Sequence, residues 1–297
     1  MQRVPNKSDL QWLDNDTIAA WTFLTPALLL LLVFAIGPIG YLIYLSFTTG
    51  SFTQEGIRWV GWQNYWRSIV SPDFWQVLGN TVYFSLATVI PSVAIPLGLA
   101  ALLDRLKTFR NLLRTAYFIP SIASTVAVGL GWRWLFQTDG PVNAFLASFS
   151  IEPIPWLGSS IWAMPVLILL SIWKQLGFNL VVFLAGLQAI PQSRYEAAEL
   201  DGASPLQQFR HITLPGLRPT LVFVIITTAI FTLRSFEQVY VITGGGPLNS
   251  TNILVYYIYE QAFALFDLGY AAASATLLLV VVLVLVYVQL QLTNEDE

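Results

Sequence analysis

The sequence predicts an all-α membrane protein that crosses the bilayer six times. Of its 297 residues, 56% are hydrophobic and only 10% are charged, whereas a soluble domain carries about 25% charged residues. These charges are too few to cover a water-soluble globule of this size, so we expect hydrocarbon to surround most of the chain. Six separate apolar stretches are each long enough to span a membrane, which requires roughly 20 residues.

Each of the six apolar stretches is interpreted as one transmembrane helix. They cover about 19–47, 77–103, 114–136, 161–187, 219–242 and 268–290. Prolines and glycines inside them, such as Pro96 and Gly129, are tolerated because neighbouring helices supply partners for the freed backbone groups. The first stretch is too long for the apolar region of a signal peptide and is followed by no small-residue cleavage pattern, so we expect it to be retained.

The positions of Lys and Arg predict the orientation of the six helices. Loops on the cytoplasmic side carry an excess of these residues. Two lie on one side, Arg58 and Arg67, and the other side holds nine: Arg3, Lys7, Arg105, Lys107, Arg110, Arg114, Arg194, Arg210 and Arg218. Both termini are therefore predicted to be cytoplasmic. We expect a cytoplasmic segment 1–18, a membrane domain 19–291 that includes a cytoplasmic loop 191–218, and a cytoplasmic tail 292–297.

The composition also excludes several classes of function. The chain has no Cys and one His, which excludes disulfide scaffolds, thiolate metal sites and His-rich metal sites. Its 14 Lys and Arg against 17 Asp and Glu leave no basic surface for nucleic acid. No GxxxxGK[ST] motif is present, so we expect this chain to bind neither ATP nor Mg²⁺ itself. No catalytic constellation is visible, and we expect the chain not to be an enzyme.

The loop 191–218 is more polar than a simple connector and predicts two short helices. Ser193 and Glu196 have the spacing of a capping box. Gly202 permits a sharp turn, and Ser204 with Pro205 suits the start of a second helix. That helix is predicted to run from Leu206 to about Ile212 and to end before Pro215. From the residues alone, an amphipathic hairpin at the membrane surface with no partner is an equal alternative.

A motif in this loop resembles a known family. Glu196-Ala197-Ala198 is followed after three residues by Gly202, and after nine more by Ile212, any residue, Leu214 and Pro215. This pattern is similar to the EAA loop of binding-protein-dependent ABC importer permeases, which implies their type I fold and a coupling helix that docks on a cytoplasmic ATPase. The resemblance implies ATPase-coupling roles for Glu196, Ala197, Ala198, Asp201, Gly202, Ala203, Leu214 and Pro215.

Three further segments resemble the carbohydrate permeases of that family, of the maltose and glycerol-phosphate type. They are YEAAELDGA (195–203), TGGGPLNST (243–251) and WRWLFQTDGPVNAFL (132–146). The resemblance implies a subunit of an ATP-driven sugar importer in a bacterial-type inner membrane. Its implied partners are a second homologous permease, a dimeric cytoplasmic ABC ATPase that binds ATP and Mg²⁺, an extracytoplasmic solute-binding protein, the sugar and membrane lipid.

Two polar stripes inside the spans are candidates for the substrate path. One face of the fifth span carries Thr228, Phe231, Thr232 and Ser235, and the fourth span carries Ser171, Lys174, Gln175 and Phe178. Polar residues inside spans usually face a protein interior or a cavity. Hydroxyl and amide groups with aromatic rings suit a sugar, and in the resembling permeases sugar contacts lie at these positions. Helix packing is the alternative for both stripes.

Three further charged residues lie in or near the spans. Arg234 and Glu237 have the spacing of an ion pair within one helix. Arg133 is expected to extend to the membrane interface.

The alternative function for the whole chain is an ion-coupled secondary carrier of a small polar solute. Glu237 is the candidate carboxylate for that function, although no inverted repeats are visible.

Overall fold

The structure is a computed structural model that describes residues 7–50, 56–104 and 110–294, with side chains for 18–50, 56–103 and 116–292. Its first half contains α1 (Lys7–Leu31), a π-helical turn (Leu32–Ile36), α2 (Gly37–Ser46), β1 (Thr48–Thr49), β2 (Arg58–Trp59), α3 (Gln63–Val70), α4 (Pro72–Asp104), α5 (Arg110–Ile122), α6 (Thr125–Leu135) and α7 (Pro141–Ala147). The two strands pair antiparallel, with Thr48 opposite Trp59.

The second half begins with the long helix α8 (Ala163–Ala189). It continues with α9 (Gln192–Leu200), α10 (Pro205–Gln208), a π-helical turn (Phe209–Thr213), α11 (Leu214–Gly216), α12 (Arg218–Leu233), a π-helical turn (Val239–Thr243), α13 (Leu254–Tyr259), a π-helical turn (Glu260–Ala264) and α14 (Leu268–Asn294). The fold is therefore all-α apart from one short hairpin in the described residues, as the sequence predicts.

Four helices in the described part of the chain are each long and apolar enough to cross a membrane. They are Ile18–Ser46, Pro72–Leu103, Ala163–Ala189 and Leu268–Leu292, and they coincide with the first, second, fourth and sixth predicted spans. The third and fifth predicted spans are interrupted. The number of crossings and the side on which the termini lie therefore stay predictions.

Both interruptions fall inside a predicted span. In the third span, Ala123 and Ser124 separate α5 from α6. In the fifth span, α12 ends at Leu233 and helix resumes at Glu237. A break leaves backbone N–H and C=O groups without helical partners, and hydrocarbon offers none. Such breaks are tolerated only where protein or a water-filled cavity surrounds them.

The central helix α8 holds the described bundle together. Half of its most apolar window is buried, whereas none of the window of the first span is. One apolar cluster joins α8 to α4 and α12 through Phe183, Leu184, Ala100 and Val224. A second cluster lies nearer the start of α8 and joins Leu167 to Phe84 and Ile242. The apolar exterior of the first span is therefore left to lipid or to another subunit.

Asn179 of α8 repairs a backbone defect in α4. Pro96 has no N–H, so the carbonyl of Ser92 loses the partner that an α-helix would provide four residues later. The Nδ2 of Asn179 donates to that carbonyl at 2.7 Å and to the Thr228 hydroxyl of α12 at 3.1 Å. Asn179 is only 2% exposed. One buried amide thus links the three central helices.

The crossing of α5 and α8 is very close. A Cβ built on Gly177 would lie 2.0 Å from the carbonyl oxygen of Tyr117, so only glycine fits. At the same crossing, Ser121 Oγ donates to the carbonyl of Lys174 at 2.8 Å and accepts from the N–H of Phe178 at 3.2 Å. Those two groups pair directly in a regular α-helix. The Ser121 hydroxyl therefore bridges two backbone groups in one turn of α8 beside the break in the third span.

Substitution of Gly177 by Ala tests this crossing. The new Cβ would clash with backbone, which cannot rotate away as a side chain can, so we expect the free energy of unfolding to fall by about 3 kcal/mol or more. Gly98→Ala in α4 is the matched control, because its Cβ meets nothing within 4 Å. Thermal unfolding of the purified protein in detergent measures both. Equal midpoints for the two variants would contradict the close crossing.

Candidate functional site

A cavity of about 600 Å³ lies between the two breaks. This volume is within the range of small-molecule sites, roughly 300–1,000 Å³. Its walls come from α5, α6, α8, α12 and the segment that follows α12. The polar and aromatic lining residues are Phe118, Ser121, Thr125, Ser171, Lys174, Gln175, Phe178, Asn179, Phe231, Arg234, Ser235, Phe236, Glu237 and Gln238.

Six of the eight residues in the two predicted stripes line this cavity: Ser171, Lys174, Gln175, Phe178, Phe231 and Ser235. The other two, Thr228 and Thr232, are each 1% exposed and lie behind the wall. Their hydroxyls accept from Asn179 Nδ2 and Gln175 Nε2, the latter at 3.3 Å. In this structure the two threonines therefore join α12 to α8. For these two positions this is the helix-packing role, which was the alternative to a role in the substrate path.

Lys174 supports the break in the third span. Its Nζ donates to the carbonyl of Ala123 and to the hydroxyl of Thr125, both at 2.8 Å. The sequence leaves this buried cation in need of a carboxylate, a carbonyl or a sugar oxygen, and the structure supplies a carbonyl and a hydroxyl. Lys174 therefore holds the end of α5 beside the start of α6 and fixes one wall of the cavity.

The predicted ion pair between Arg234 and Glu237 is wrong. The helix ends at Leu233, so the three-residue spacing no longer brings the two side chains onto one face. Within the described residues the one ion pair joins Arg67 to Asp267. Arg234 and Glu237 instead line the cavity, and both are exposed. The cavity thus presents a guanidinium and a carboxylate that do not neutralise each other.

One further polar atom at the cavity has no partner. Gln175 uses its Nε2 on Thr232, but its Oε1 is buried and accepts no hydrogen bond. Such an atom is costly unless a ligand or water donates to it. Gln238 donates to the Ser171 hydroxyl at 3.4 Å, which ties the resumed helix to α8. The carbonyl oxygen of Gln175 therefore has unused hydrogen-bonding capacity at the wall of the cavity, and it can meet a bound molecule only if the side chain turns toward it.

Several lining residues were not predicted. Phe118, Ser121 and Thr125 flank the break in the third span, which the hydropathy pattern presents as continuous. Pro120 followed by Ser-Ile-Ala-Ser was the available signal, since proline and serines commonly interrupt helices. Arg133 was expected to reach the interface. It is exposed and donates to the carbonyl of Val241 at 3.4 Å, within the π-helical turn of the other broken span, and its place at the interface stays a prediction.

The second candidate site is the bent segment 190–217 at the far end of α8. Gly202 has φ +75°, which confirms the predicted turn. The N–H of Ala203 bonds to the carbonyl of Ala198 and that of Gly202 bonds to Glu199, the pattern of a Schellman motif. A capping box between Ser204 and Gln207 then starts the next helix. Two consecutive caps therefore fix the bend.

Two details of this segment were predicted wrongly. Ser193 does not cap α9, because that helix already begins at Gln192 after Pro191 and has no side-chain cap. The second helix does not end before Pro215. It continues through the π-helical turn to Gly216, and the irregular turn accommodates the proline that would otherwise clash with the preceding turn.

The bent segment is anchored to the bundle on one side and open on the other. Tyr195 bonds to the Thr213 hydroxyl at 2.9 Å, and Leu217 is fully buried. The helix Pro205–Gly216 meets α12 at 69°. On the open side, Leu200 is 91% exposed and Leu206 is 75% exposed. Of the residues predicted to contact an ATPase, five are exposed and three are half-buried: Glu196, Ala197, Asp201, Gly202 and Pro215, then Ala198, Ala203 and Leu214.

Comparison with known proteins identifies similar chains. A family model described as the inner membrane component of binding-protein-dependent transport systems matches residues 94–294. The sulfoquinovosyl glycerol transport system permease protein of Agrobacterium fabrum is 37% identical over 266 residues, which cover 89% of this chain and 86% of that protein. The lactose transport system permease protein of Rhizobium radiobacter is 38% identical over 261 residues, which cover 86% and 87%.

Two further similarities extend this comparison. The arabinooligosaccharides transport system permease protein of Bacillus subtilis is 36% identical over 259 residues, which cover 86% of this chain and 82% of that protein. A chain of the bacterial alginate ABC transporter, crystallised with its alginate pentasaccharide-bound periplasmic protein, superposes with a TM-score of 0.81 and 25% identity. The superposition covers 94% of this chain and 95% of that one.

Replacement of Lys174 by Met tests the role of this cation at the break. Methionine has a similar length but no donor, so the Ala123 carbonyl loses a partner and we expect the free energy of unfolding to fall by about 1–3 kcal/mol. Arg133→Met is the control, because that side chain is exposed and makes a longer bond. Thermal unfolding in detergent provides the measurement. A destabilisation no larger than that of the control would refute the support role.

Proposed function

Because the chain belongs to the family of binding-protein-dependent transport system inner membrane components, we propose that it is the permease subunit of an ATP-driven importer for a sugar or sugar-like solute. The observation that carries the substrate class is that three relatives above 35% identity have names that specify sulfoquinovosyl glycerol, lactose and arabinooligosaccharides. All three solutes contain sugar rings.

The cavity fits this class of solute. The carboxylate of Glu237 accepts hydrogen bonds from hydroxyl groups, Ser235 both donates and accepts, and Gln175 Oε1 can accept once its side chain turns toward the cavity. Phe231 is 60% exposed and Phe178 is 39% exposed, so each presents ring surface to the C–H face of a sugar. The substrate path of this subunit therefore consists of Lys174, Gln175, Phe178, Phe231 and Ser235, with Thr228 and Thr232 holding the wall behind them.

The bent segment 190–217 is the contact with the ATPase in this proposal. Its exposed side carries the carboxylates of Glu196 and Asp201 next to Leu200 and Leu206, so it offers charged and apolar contacts together. ATP and Mg²⁺ are bound by a separate dimeric ATPase, and this chain is not an enzyme. A second homologous permease completes the path, and a solute-binding protein delivers the sugar from the extracytoplasmic side.

Transport in this proposal follows alternating access. The helix Pro205–Gly216 joins α12 at a fixed elbow of 69°, and α12 ends beside the cavity at the second break. Movement of the bent segment when the ATPase closes is therefore transmitted to Phe231 and Ser235. The ligands can drive such a change only by binding the two conformations with different affinity.

Reconstituted transport tests the proposal. In proteoliposomes that contain this chain, its partner permease, the ATPase and the binding protein, we expect ATP-dependent uptake of at least one of labelled lactose, sulfoquinovosyl glycerol or arabinotriose. Glu196→Lys reverses a charge at the ATPase contact. We expect it to lower uptake by about 100-fold, because like charges brought together at an interface cost several kcal/mol. The protein itself is expected to stay folded in the membrane.

The control for this experiment is Glu152→Lys, which reverses an exposed carboxylate in the loop between α7 and α8. It is expected to transport normally. Uptake that persists without ATP and collapses when ion gradients are dissipated would instead establish the ion-coupled carrier. Equal uptake by the Glu196 and Glu152 variants would rule out the coupling role of the bent segment.

Two substitutions on α12 distinguish a residue that lines the cavity from a residue that packs against α8. Phe231→Ala removes ring surface from the cavity, and we expect uptake to fall about threefold to tenfold with little change in unfolding temperature. Thr228→Val removes the partner of Asn179, and we expect the unfolding temperature to fall while the preference among the three sugars is kept. The competition of each unlabelled sugar against labelled uptake measures that preference. A changed preference in the Thr228 variant would show that the threonine contacts the solute.

A further inference from the structure

Five aromatic side chains form a continuous cluster that begins at the cavity. Phe236 lines the cavity, and its ring centroid lies 5.0 Å from that of Tyr259 and 5.3 Å from that of Tyr240. Tyr259 is in turn 5.3 Å from Phe263. Tyr256 lies 6.1 Å from Phe236 and 6.2 Å from Tyr259. We call Phe236, Tyr240, Tyr256, Tyr259 and Phe263 the aromatic ladder.

The glycine-rich segment 244–246 is shaped around the aromatic ladder. Gly245 has φ +79°, and a Cβ built on it would lie 2.8 Å from Cε1 of Tyr256. Gly244 has φ +56° and would bring its Cβ to 3.8 Å from the Tyr256 hydroxyl oxygen. The segment lies at the end of the bundle opposite the bent segment 190–217. The ladder therefore runs from the cavity toward the end that the Lys and Arg distribution assigns to the outside.

The ladder differs in chemistry from the surfaces that face lipid. The exposed side chains of α14 are aliphatic over most of its length, as at Val280, Leu283 and Val284. In the ladder, three of five rings carry hydroxyl groups, and Tyr240 and Phe263 are more than half exposed. Burial and the neighbouring carboxylate of Glu260 raise the pKa of Tyr256, which keeps that hydroxyl protonated. An amphipathic surface of this kind binds a molecule with both polar and apolar faces.

We propose that the aromatic ladder is an approach site on which a sugar slides, ring by ring, from the outer end of the permease to the cavity. This inference rests on the proposed function and extends it to a site outside the cavity. Sugar rings have apolar C–H faces and polar hydroxyl edges, so they stack on aromatic rings while tyrosine hydroxyls bond to their edges. Because neighbouring rings lie only about 5 Å apart, the sugar can move from one ring to the next without a deep energy minimum at any one position.

The chain contains no cysteine, so a single introduced thiol reports on one position alone. Tyr259→Cys and Phe263→Cys are made in the full transporter, reconstituted as above. The vesicles are exposed from the binding-protein side to a sulfonated maleimide that does not cross membranes. We expect both positions to be labelled, and labelling to slow when lactose, sulfoquinovosyl glycerol or arabinotriose is being transported. Tyr287→Cys is the matched control, because Tyr287 is a 62% exposed tyrosine on α14 and is expected to stay unlabelled in lipid.

A second pair of variants measures the effect on transport. Tyr259→Ala removes a rung, and we expect the initial rate of uptake to fall about threefold to tenfold. Tyr259→Phe keeps the ring and loses only the hydroxyl, so we expect its uptake to lie between that of Tyr259→Ala and that of the unmodified protein. Normal uptake by Tyr259→Ala would overturn the ladder.

Labelling separates the failure of the ladder from that of the proposed function. If uptake is ATP-dependent but neither Tyr259→Cys nor Phe263→Cys is labelled, the rings face lipid or the partner permease and the approach site is refuted. If the unmodified transporter takes up none of the three sugars, the proposed function fails, and the approach site fails with it.

Discussion

The structure depends on one constraint: backbone groups freed inside a hydrocarbon layer need partners from the protein. Three of the backbone defects in the described residues lie beside α8, at Pro96, at Ala123–Ser124 and at residues 234–236. Side chains of α8 donate to a backbone carbonyl at the first two, and at the third a side chain of α8 bonds to a side chain of the resumed helix. Asn179 serves the carbonyl freed by Pro96, Lys174 serves Ala123, and Ser171 accepts from Gln238 in the resumed helix. The first role of the polar stripe on α8 is therefore to supply hydrogen bonds to helices that are interrupted inside the membrane.

The same stripe produces the site. Helices that break cannot pack as closely as straight ones, and the volume they leave beside α8 is the cavity. Its walls already carry polar side chains, because these groups complete the breaks. Those that are exposed at the cavity, such as Glu237, are available to a solute, whereas the hydroxyls of Thr228 and Thr232 already accept from side chains of α8. On α8 and α12, side chains that already have hydrogen-bond partners therefore have a structural role, and side chains without partners can bind the solute.

Sequence alone was sufficient for the elements with a strong periodic or compositional signal. Four spans, the turn at Gly202 and the Ser204–Pro205 helix start were predicted because hydropathy, a positive φ and a cap are local properties. The breaks were missed, and with them Ser121, Thr125 and the true place of Arg234, because average hydropathy does not register an interruption of two or three residues. The Arg234–Glu237 pair failed for the same reason, since its spacing assumes a helix that has already ended at Leu233. Whether Thr228 points to a cavity or to a neighbouring helix depends on tertiary packing. The helical spacing of the sequence shows only that Thr228 lies on the same face of α12 as the other residues of the stripe.

The bent segment must be stiff if it is to transmit force, and its local chemistry accounts for that stiffness. A flexible loop would absorb a displacement by changing its own dihedral angles. Here the Schellman motif and the capping box leave no free residue between Leu200 and Pro205, and the Tyr195–Thr213 bond closes the two helices onto each other. Ile190, Leu217 and Val224 continue the contact into the apolar cluster shared by α4, α8 and α12. If the proposed ATPase pushes on the exposed side, we expect α12 to move with the bent segment, and the far end of α12 is the break at residues 234–236, at the wall of the cavity.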